Sequence, residues 1–282
     1  FVPLTGHAGA AFIVAGILAH EIHTLDGNHL LVDVGTNGEI ALRSGGRTYA
    51  CATAAGPAFE GARISCGMRA ADGAISEVAR GDDDIHVTTI NDRPARGLCG
   101  TGLLDAVAVL LDLGLITDTG RLLSPDEAAA CDLPAAITAR VVEDDKGQGF
   151  VLAEGHNGLP RIVLRPRDVR ELQLAKGAVH AGITVLLDLV ELATDDLDTL
   201  YLAGGFGTFL RPESATRVGL LPPALPVDRI KPIGNASLAG ARLCLLNLDE
   251  RREAERIARE VDYIELSGKL EFQQAFTDSM IF

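Results

Sequence analysis

The thirteen residues LLVDVGTNGEIAL, at positions 30–42, decide the fold that this chain can adopt. Three apolar residues run into a lone carboxylate at Asp33. The chain then turns through Gly-Thr-Asn-Gly and returns at once into a second apolar run. A plain hairpin needs only a turn dipeptide. This turn combines a hydroxyl, an amide and two glycines next to a carboxylate, which is a pattern that can hold a ligand.

The chemistry of this turn leaves two interpretations open. Gly35 and Gly38 allow the backbone to come close to a ligand, and successive N–H groups in such a turn can form an anion site. Asp33 cannot bind a phosphate directly, because like charges repel, but it could hold a hydrated Mg²⁺ or orient a water molecule. A β-hairpin closed by an Asx turn would explain the same residues without a ligand.

Composition excludes several classes of partner. The chain has 282 residues with a net charge of -14, which argues against a surface for nucleic acid or for anionic membranes. No uninterrupted apolar run reaches the roughly 20 residues that a membrane-spanning helix needs. No basic segment precedes the apolar run near the start. We therefore expect a cytoplasmic protein with no nucleic-acid or membrane partner.

The cysteines and histidines bear on redox and metal chemistry, and the first residue bears on the extent of the chain. The five cysteines are scattered, odd in number and form no C-x-x-C pair, so we expect reduced thiols and no iron–sulfur site in this chain. His20 and His23 lack the spacing of metal ligands. The sequence opens on Phe1 instead of Met, and we expect it to be a piece of a longer protein.

Periodicity predicts an α/β protein that begins with an antiparallel meander. Predicted strands cover 29–34, 39–44, 47–52, 85–90, 197–205, the first part of 228–247 and 261–266, with short strands near 139–143 and 149–153 in a loop-rich insertion at about 117–160. Predicted helices cover 7–20, 97–116, 166–193 and the second half of 228–247. Gly114 is the predicted stop of the second of these. A helix start is predicted at 56–64, and a helical tail after the last strand.

Two further glycine-bearing turns are candidates for ligand contacts. In TAAGPAFEG, Gly56 precedes a predicted helix and Glu60 lies about one turn into it, where it could bond a ribose hydroxyl. An acidic residue that stabilises a helix start would look the same. In GLCGTGLLDAV, Gly100 and Thr101 are secondary candidates. This pattern lacks the spacing of a dinucleotide motif and the Lys of a P-loop, which favours close helix–strand packing instead.

The last two glycine-bearing turns follow the strands near the end of the chain. YLAGGFGTFL ends a buried strand in Gly204, Gly205, Phe206 and Gly207, which would suit a flat ring lying against bare backbone, or a tight β–α turn. IGNASLAGA leads into a helix of small residues that can pack very close to a neighbour. It carries the secondary candidates Asn235 and Ser237.

Taken in order, these motifs resemble those of the acetate/sugar kinase, heat-shock chaperone and actin superfamily of ATPases. LLVDVGTNGEIAL looks like its second phosphate hairpin, YLAGGFG like its adenosine motif, and GHAGAAFIVAGILA and GNASLAGA like its two connecting helices. TAAGPAFEG resembles the nucleotide helix of the dehydratase-activator ATPases. The resemblance implies a ribonuclease-H-like lobe, with a mixed sheet flanked by helices, and an ATP site.

The match is closest to the reductive activators of corrinoid proteins, through ACATAAGPAFEGARISCGMRAADGAI, GLCGTGLLD, AGGFG and the ending YIELSG…FQQAFTDSMIF. The resemblance covers essentially the whole chain, as the C-terminal ATPase domain. It implies that a [2Fe–2S] domain upstream supplies an electron and that ATP drives reduction of an inactive Co(II) corrinoid to Co(I). The implied partner is a corrinoid protein of a methyltransferase system, and a homodimer is possible.

The resemblance also implies roles for individual residues and a division of the chain. It implies that Asp33 is the catalytic residue and a magnesium ligand. Around Mg²⁺ and the phosphates it also implies Gly35, Thr36, Asn37, Gly38 and Glu39. Around the ribose and adenine it implies Gly56, Glu60, Gly204, Gly205, Phe206 and Gly207. The implied division is a connecting helix at 1–28, a nucleotide-binding core at 29–247, and a C-terminal strand and helix at 248–282.

Two departures from the family pattern bear on activity. Only one Asp-x-Gly-Thr hairpin occurs in the chain, whereas a complete superfamily site has two, and the second belongs to a segment upstream. Ala11 stands where the family usually carries Asp. A nucleotide-sensing or partner-docking module that keeps the fold without the chemistry is therefore the alternative hypothesis. A small-molecule kinase is a third, for which we find no acceptor motif.

Overall fold

The computed structural model of this protein describes residues 8–155 and 158–282, with side chains from residue 11 onward. Its strands are β1 (His29–Val34), β2 (Gly38–Ser44), β3 (Arg47–Thr53), β4 (Ala74–Arg80), β5 (Ile85–Thr89), β6 (Gly97–Leu98), β7 (Val141–Asp144), β8 (Gly147–Ala153), β9 (Ile162–Leu164), β10 (Thr199–Ala203), β11 (Ile230–Gly234) and β12 (Asp262–Tyr263). Its helices are α1 (Ala8–Ala19), α2 (Gly100–Asp112), α3 (Pro125–Ala129), α4 (Ala135–Thr138), α5 (Pro166–Leu189), α6 (Pro212–Arg217), α7 (Ala236–Leu246), α8 (Leu248–Glu260) and α9 (Leu270–Asp278).

The largest sheet has six strands in the order β11-β10-β1-β2-β3-β12. Strands β1, β2 and β3 form the predicted antiparallel meander, and the pairs β1–β10 and β10–β11 are parallel. This order and these directions are those of a ribonuclease-H-like lobe. The predicted mixed α/β fold class is confirmed, and the meander stands within about one residue of its predicted bounds.

The chain divides into two compact units. The first contains the described residues up to Ala55, with Gly177–Pro212 and Leu220–Ser279. The second contains Gly56–Lys176, Glu213–Gly219 and Met280–Phe282. Helix α5 therefore belongs to the second unit up to Lys176 and to the first unit from Gly177. The sequence-based division at 1–28, 29–247 and 248–282 concerns functional parts of the chain, not compact units, and stays a prediction.

The six-stranded sheet of the first unit is covered on both faces, because alternate strand residues point to opposite sides. On one face, Leu31, Ala41 and Ala50 pack with the apolar residues of α1 and with Ala254 and Ile257 of α8. On the other face, Gly182 of α5 lies so close that an added Cβ would sit 2.6 Å from Ile40 Cδ1 and 2.7 Å from Thr53 Cγ2. The meander is thus held between α1 and the second half of α5.

Helices α1 and α7 cross at a glycine. A Cβ placed on Gly240 would lie 2.0 Å from the carbonyl oxygen of Ala15, so the two backbones are in direct contact. The small-residue pattern of GNASLAGA predicted such a packing, and it is confirmed. The opposite face of α7 is exposed, including Leu238, Leu245 and Leu246 at 57%, 75% and 79% of their surface.

The second unit contains two small sheets, β5-β4-β6 and β7-β8-β9, and the first half of α5. Helix α2 packs on β4 at Gly102, where an added Cβ would lie 2.3 Å from the carbonyl oxygen of Ile75. The side chain of Asp168 caps the start of α5. It accepts the N–H groups of Ser65 at 2.7 Å and Arg165 at 2.9 Å.

Several sequence-based bounds need correction. The predicted helix start at 56–64 is wrong. This segment forms turns in which Gly61 and Arg63 have φ of 76° and 65°, and Met68 backbone atoms occupy the space beside Gly61. Helix α5 ends at Leu189 instead of 193, and the last strand covers only Asp262–Tyr263. Strands β4 and β9 and helices α3, α4, α6 and α8 were not predicted, and strand β6 lies where the helix predicted over 97–116 was to begin. Of the helix predicted over 7–20, residue 7 lies outside the described residues.

Helix α5 is long and apolar enough, by its mean hydropathy, to cross a membrane. The search for uninterrupted apolar runs in the sequence did not find this helix. However, 67% of its most apolar stretch is buried inside the protein. The core helix of a soluble domain satisfies the same length and composition criteria. Its packing on the meander through Gly182 accounts for the apolar residues without a membrane.

The last residues of the chain pack on the first half of α5. The side chain of Gln173 donates to the carbonyl oxygens of Met280 at 2.8 Å and Thr119 at 3.1 Å. Lys176 is only 2% exposed, and its ammonium group donates to the carbonyl oxygen of Ile281 and lies 5.2 Å from the centre of the Phe282 ring. Burial lowers the pKa of Lys176 from 10.5 to about 8.

We expect Gly240→Val to destabilise the α1–α7 crossing, because a side chain there must displace the Ala15 carbonyl. The expected loss in the free energy of unfolding is about 1–3 kcal/mol, as for other overpacked sites. Chemical denaturation measures it. The matched control is Ala241→Val on the exposed side of α7, where the change should be well under about 1 kcal/mol. Equal effects of the two substitutions would contradict the close crossing.

We expect the burial of Lys176 to make stability depend on pH. Between pH 8 and 10.5 the unfolded chain binds more protons at Lys176 than the folded chain does, so the free energy of unfolding rises with pH. Lys176→Met removes this contribution. The free energy of unfolding of wild type minus that of the variant should rise by up to about 3 kcal/mol across that range. The exposed Lys231→Met is the control. Parallel pH curves for wild type and Lys176→Met would show that the ammonium is not buried.

Candidate functional site

Three glycine-bearing turns meet at one edge of the six-stranded sheet in the first unit. Strands β1, β10 and β11 are parallel, so their carboxyl ends lie at the same edge. The turn 35–38 follows β1, the corner 204–207 follows β10, and Gly234 ends β11 just before α7 begins at Ala236. Ligands of open α/β sheets bind at this kind of edge.

Asp33 and Gly204 are in close contact. The parallel register pairs Asp33 with Ala203, the residue before Gly204. An added Cβ on Gly204 would lie 2.6 Å from Oδ1 of Asp33 and 2.6 Å from the carbonyl oxygen of Val34. The φ of Gly204 is 101°, which other residues rarely adopt. The sequence-based hypothesis needed Asp33 next to the 204–207 corner, and the structure places them side by side.

The carboxylate of Asp33 is partly buried and hydrogen-bonded. Its Oδ2 accepts the hydroxyl of Ser237 at 2.7 Å. Burial raises the pKa of Asp33, and this hydrogen bond acts in the opposite direction. Sequence reasoning named Ser237 as a secondary candidate without a role and missed its bond to Asp33. No local pattern could reveal a contact between residues 204 positions apart.

A second carboxyl group lies directly across the meander. The antiparallel register pairs Glu39 of β2 with Asp33 of β1, and Glu39 is only 7% exposed. Burial, and then the nearby charge of Asp33, raises the pKa of Glu39 to about 7, and a hydrogen bond from the Asn37 side chain opposes the shift. Among the described residues no group of three or more His, Cys, Asp or Glu could hold a metal. The edge therefore offers a carboxyl pair.

The turn after β1 is tight and internally bonded. The N–H of Gly35 donates to the carbonyl oxygen of Asn37 at 2.9 Å, so this amide serves the turn itself. An added Cβ on Gly38 would lie 2.8 Å from Oγ1 of Thr53 and 2.9 Å from Val179. Gly38 is therefore required by packing as well as by any ligand. Thr36 lies at the exposed tip of the turn.

The corner after β10 combines a fixed start with an open middle. The N–H of Gly204 donates to the carbonyl oxygen of Gly234 at 3.0 Å, and its own carbonyl accepts the hydroxyl of Thr208 at 2.8 Å. Gly205 is exposed, and an added Cβ there would meet nothing within 4 Å. Phe206 is half-buried and Gly207 is buried against Leu202. The corner presents bare backbone at Gly205.

The start of α7 is capped by its own sequence. The side chain of Asn235 accepts the N–H of Leu238 at 2.9 Å, as an N-cap residue does. Asn235 therefore fixes the first turn of the helix, on which Ser237 is the second residue. Asn235 and Ser237, the two secondary candidates here, thus each bond another residue of the protein, Leu238 and Asp33 respectively.

The other predicted site residues belong to the second unit. Gly56 has φ of 77° and open space beside it, and Glu60 lies in the turns that replace the predicted helix. The hydroxyl of Thr101 donates to the carbonyl oxygen of Ser76 at 2.7 Å, and Gly100 begins α2. The close packing of α2 on β4 agrees with the packing role that the GLCGTG pattern favoured.

Comparison with known proteins gives a consistent result. The family model described as the C-terminal domain of RACo, the ASKHA domain, matches residues 27–282. The corrinoid activation enzyme RamQ of Eubacterium limosum is 34% identical over 90% of this chain and 42% of its own length. The [Co(II) methylated amine-specific corrinoid protein] reductase of Methanosarcina barkeri is 29% identical over 82% of this chain and 41% of its own length.

A solved structure agrees with these sequence matches. The reductive activator for corrinoid,iron-sulfur protein has a TM-score of 0.84 and 34% identity to this chain, and the match covers 96% of this chain and 42% of that one. The chain thus spans about two fifths of the length of the relatives that it matches. By its family match over residues 27–282 and its sheet topology, the chain belongs to the family of RACo C-terminal domains and is an ASKHA domain.

Proposed function

We propose that this chain is the ATP-binding domain of an ATP-dependent reductive activator. In that protein an upstream [2Fe–2S] domain would supply the electron that reduces an inactive Co(II) corrinoid protein to Co(I). The relatives whose names state corrinoid activation or Co(II) corrinoid protein reduction support this proposal. The observation that carries it is the contact between Asp33 and the Gly204 corner at the carboxyl edge of the sheet.

The residues at this edge fit a magnesium–nucleotide complex. Mg²⁺ in nucleotide sites is held by one or two carboxylates together with waters and phosphate oxygens, and Asp33 with Glu39 supplies such a pair. Bare backbone at Gly205 leaves room for a flat ring. The proposed magnesium and phosphate ligands are Asp33, Gly35, Thr36, Asn37, Gly38 and Glu39. The proposed adenine contacts are Gly204, Gly205, Phe206 and Gly207, and Gly56 and Glu60 are proposed for the ribose.

The chain's own residues would act by position and charge. Bound Mg–ATP would supply the free energy that reduction at the very low Co(II)/Co(I) potential requires. Asp33 would orient the metal or a water molecule, with its carboxylate already fixed by Ser237. Glu39, which pairs with Asp33 across the hairpin, would add a second carboxylate to the metal site. The burial of this carboxyl pair limits its contact with water.

A cytoplasmic location and a corrinoid protein of a methyltransferase system as partner belong to this proposal. The net charge of -14 fits neither a nucleic acid nor an anionic membrane surface. The alternative is a nucleotide-sensing or docking module. The bond between the N–H of Gly35 and the carbonyl oxygen of Asn37 favours it, because it removes one amide from phosphate binding.

The test is calorimetric titration of Mg–ATP into this chain and into the full-length protein, with the variant Asp33→Asn in each. Binding by the full-length wild type, with ATP turnover at least about tenfold lower in Asp33→Asn, is the expected result, because the variant loses the charge beside the metal. The free energy of unfolding of the variant should change far less. Binding by the longer form alone would support a site split between segments.

The control for this substitution is Asp26→Asn, which removes an exposed carboxylate outside the edge. It should leave both binding and turnover at the wild-type level. The proposed chemistry would be refuted by equal turnover in Asp33→Asn and wild type. Binding of Mg–ATP without turnover in the full-length wild type would favour the sensing module, and no binding by either form would favour the docking module.

Gly205→Ala separates ligand contact from folding. Since an added Cβ at Gly205 meets no protein atom within 4 Å, we expect the thermal midpoint to change little. If adenine lies against this backbone, the affinity for Mg–ATP should fall by about tenfold, because the methyl group occupies the ligand's space. Unchanged affinity in calorimetry would remove Gly205 from the nucleotide site.

A further inference from the structure

Ser237 connects α7 to Asp33. Its hydroxyl donates to Oδ2 of Asp33 at 2.7 Å and also lies 3.4 Å from the carbonyl oxygen of Phe12 in α1. A serine hydroxyl is one bond from Cβ, so its position depends on the helix backbone and on a single torsion, χ1. The hydrogen bond therefore relates the Asp33 carboxylate to the position of α7.

The helix that carries Ser237 is itself firmly placed. Asn235 caps its first turn, and Gly240 brings its backbone against Ala15 of α1. Ala236, next to Ser237, is fully buried. Side chains that orient metal-binding carboxylates are effective when they stand on such rigid elements.

The two oxygens of Asp33 have different surroundings. Oδ2 is bound by Ser237, whereas Oδ1 lies beside Gly204, where only the absence of a Cβ leaves space for it. The carboxyl group of Glu39 stands opposite in register. Rotation of the Asp33 side chain would break the Ser237 bond and carry Oδ1 away from the Gly204 corner.

We propose that Ser237 is a positioning residue that holds Asp33 through Oδ2, so that Oδ1 remains at the Gly204 corner and available to magnesium. This role rests on the proposed Mg–ATP site. In it Ser237 supports the metal ligand Asp33 and does not contact the nucleotide. Ser237 does not touch the reacting atoms. Its effect passes through Asp33.

The test compares Ser237→Ala, Ser237→Thr and wild type in the full-length protein. In Ser237→Ala the apparent dissociation constant for Mg²⁺ at saturating ATP should rise about 10- to 100-fold, as for other lost partners of metal-binding carboxylates. ATP affinity measured with EDTA should not change. Ser237→Thr, which keeps a hydroxyl, should restore most of the magnesium affinity. A fall in ATP affinity with EDTA would overturn the proposal and make Ser237 a direct nucleotide contact.

Ser279→Ala is the matched control, because Ser279 is also a partly buried serine whose hydroxyl donates to a carbonyl oxygen, that of Ala275. It should leave magnesium affinity unchanged. Amide hydrogen exchange without nucleotide gives an independent measurement. The turn 33–38 should exchange faster in Ser237→Ala than in wild type or Ser279→Ala. Equal exchange in all three would overturn the positioning role.

The outcomes also separate this inference from the proposed function. A wild type that binds no Mg–ATP would overturn the proposed function. A wild type that binds Mg–ATP, together with a Ser237→Ala variant of the same magnesium affinity, would overturn only the role of Ser237.

Discussion

The contact between Asp33 and Gly204 is the constraint on which the rest of the first unit depends. Strand β10 can pair in parallel with β1 up to Ala203 and then turn beside Asp33 only because position 204 has no Cβ and a φ of 101°. A side chain at this position would collide with both the carboxylate and the Val34 carbonyl. The same glycine therefore serves the topology of the sheet and the geometry of the candidate site, and folding and ligand binding cannot be varied independently there.

The crossing of α1 and α7 supports this edge from one face of the sheet. Gly240 and Ala15 bring the helices into backbone contact, which fixes the start of α7 relative to the strands beneath it. Ser237 then transfers that fixed position to Asp33 through a single hydrogen bond. A movement of α7 would thus reach the carboxylate through the Ser237 side chain alone. The exposed leucines on the outer face of α7 stand on the same helix.

Sequence reasoning predicted what local pattern and turn chemistry determine. It gave the meander to within about a residue at each bound, the strand-turn-helix at 228–247, and the stop of α2 near Gly114, because alternation, glycine turns and helical periodicity are local signals. It failed at 56–64, where Pro57 at a tolerated first-turn position suggested a helix start, but Met68, beyond that segment, packs against Gly61 in a segment of turns. It also missed β4, whose burial pattern alternates poorly.

The candidate site shows the same limit. Asp33 and the glycine corners could be named from sequence because polar groups and glycines that follow apolar strands are local signals. Their mutual contacts could not, since the Ser237–Asp33 bond joins two distant segments and the Glu39–Asp33 pair depends on the exact register of a hairpin.

The two carboxyl groups at the edge have different surroundings. Asp33 receives a hydroxyl hydrogen bond that opposes the effect of burial, whereas for Glu39 burial and the charge of Asp33 together outweigh the bond from Asn37. A folded chain gains nothing in stability from facing two carboxyl groups across one strand pair, because ionising both costs desolvation and mutual repulsion. A divalent cation reverses that balance, since it attracts both groups and favours the ionised form of each. The magnesium proposed for this edge would therefore offset a cost that the carboxyl pair imposes on the folded chain.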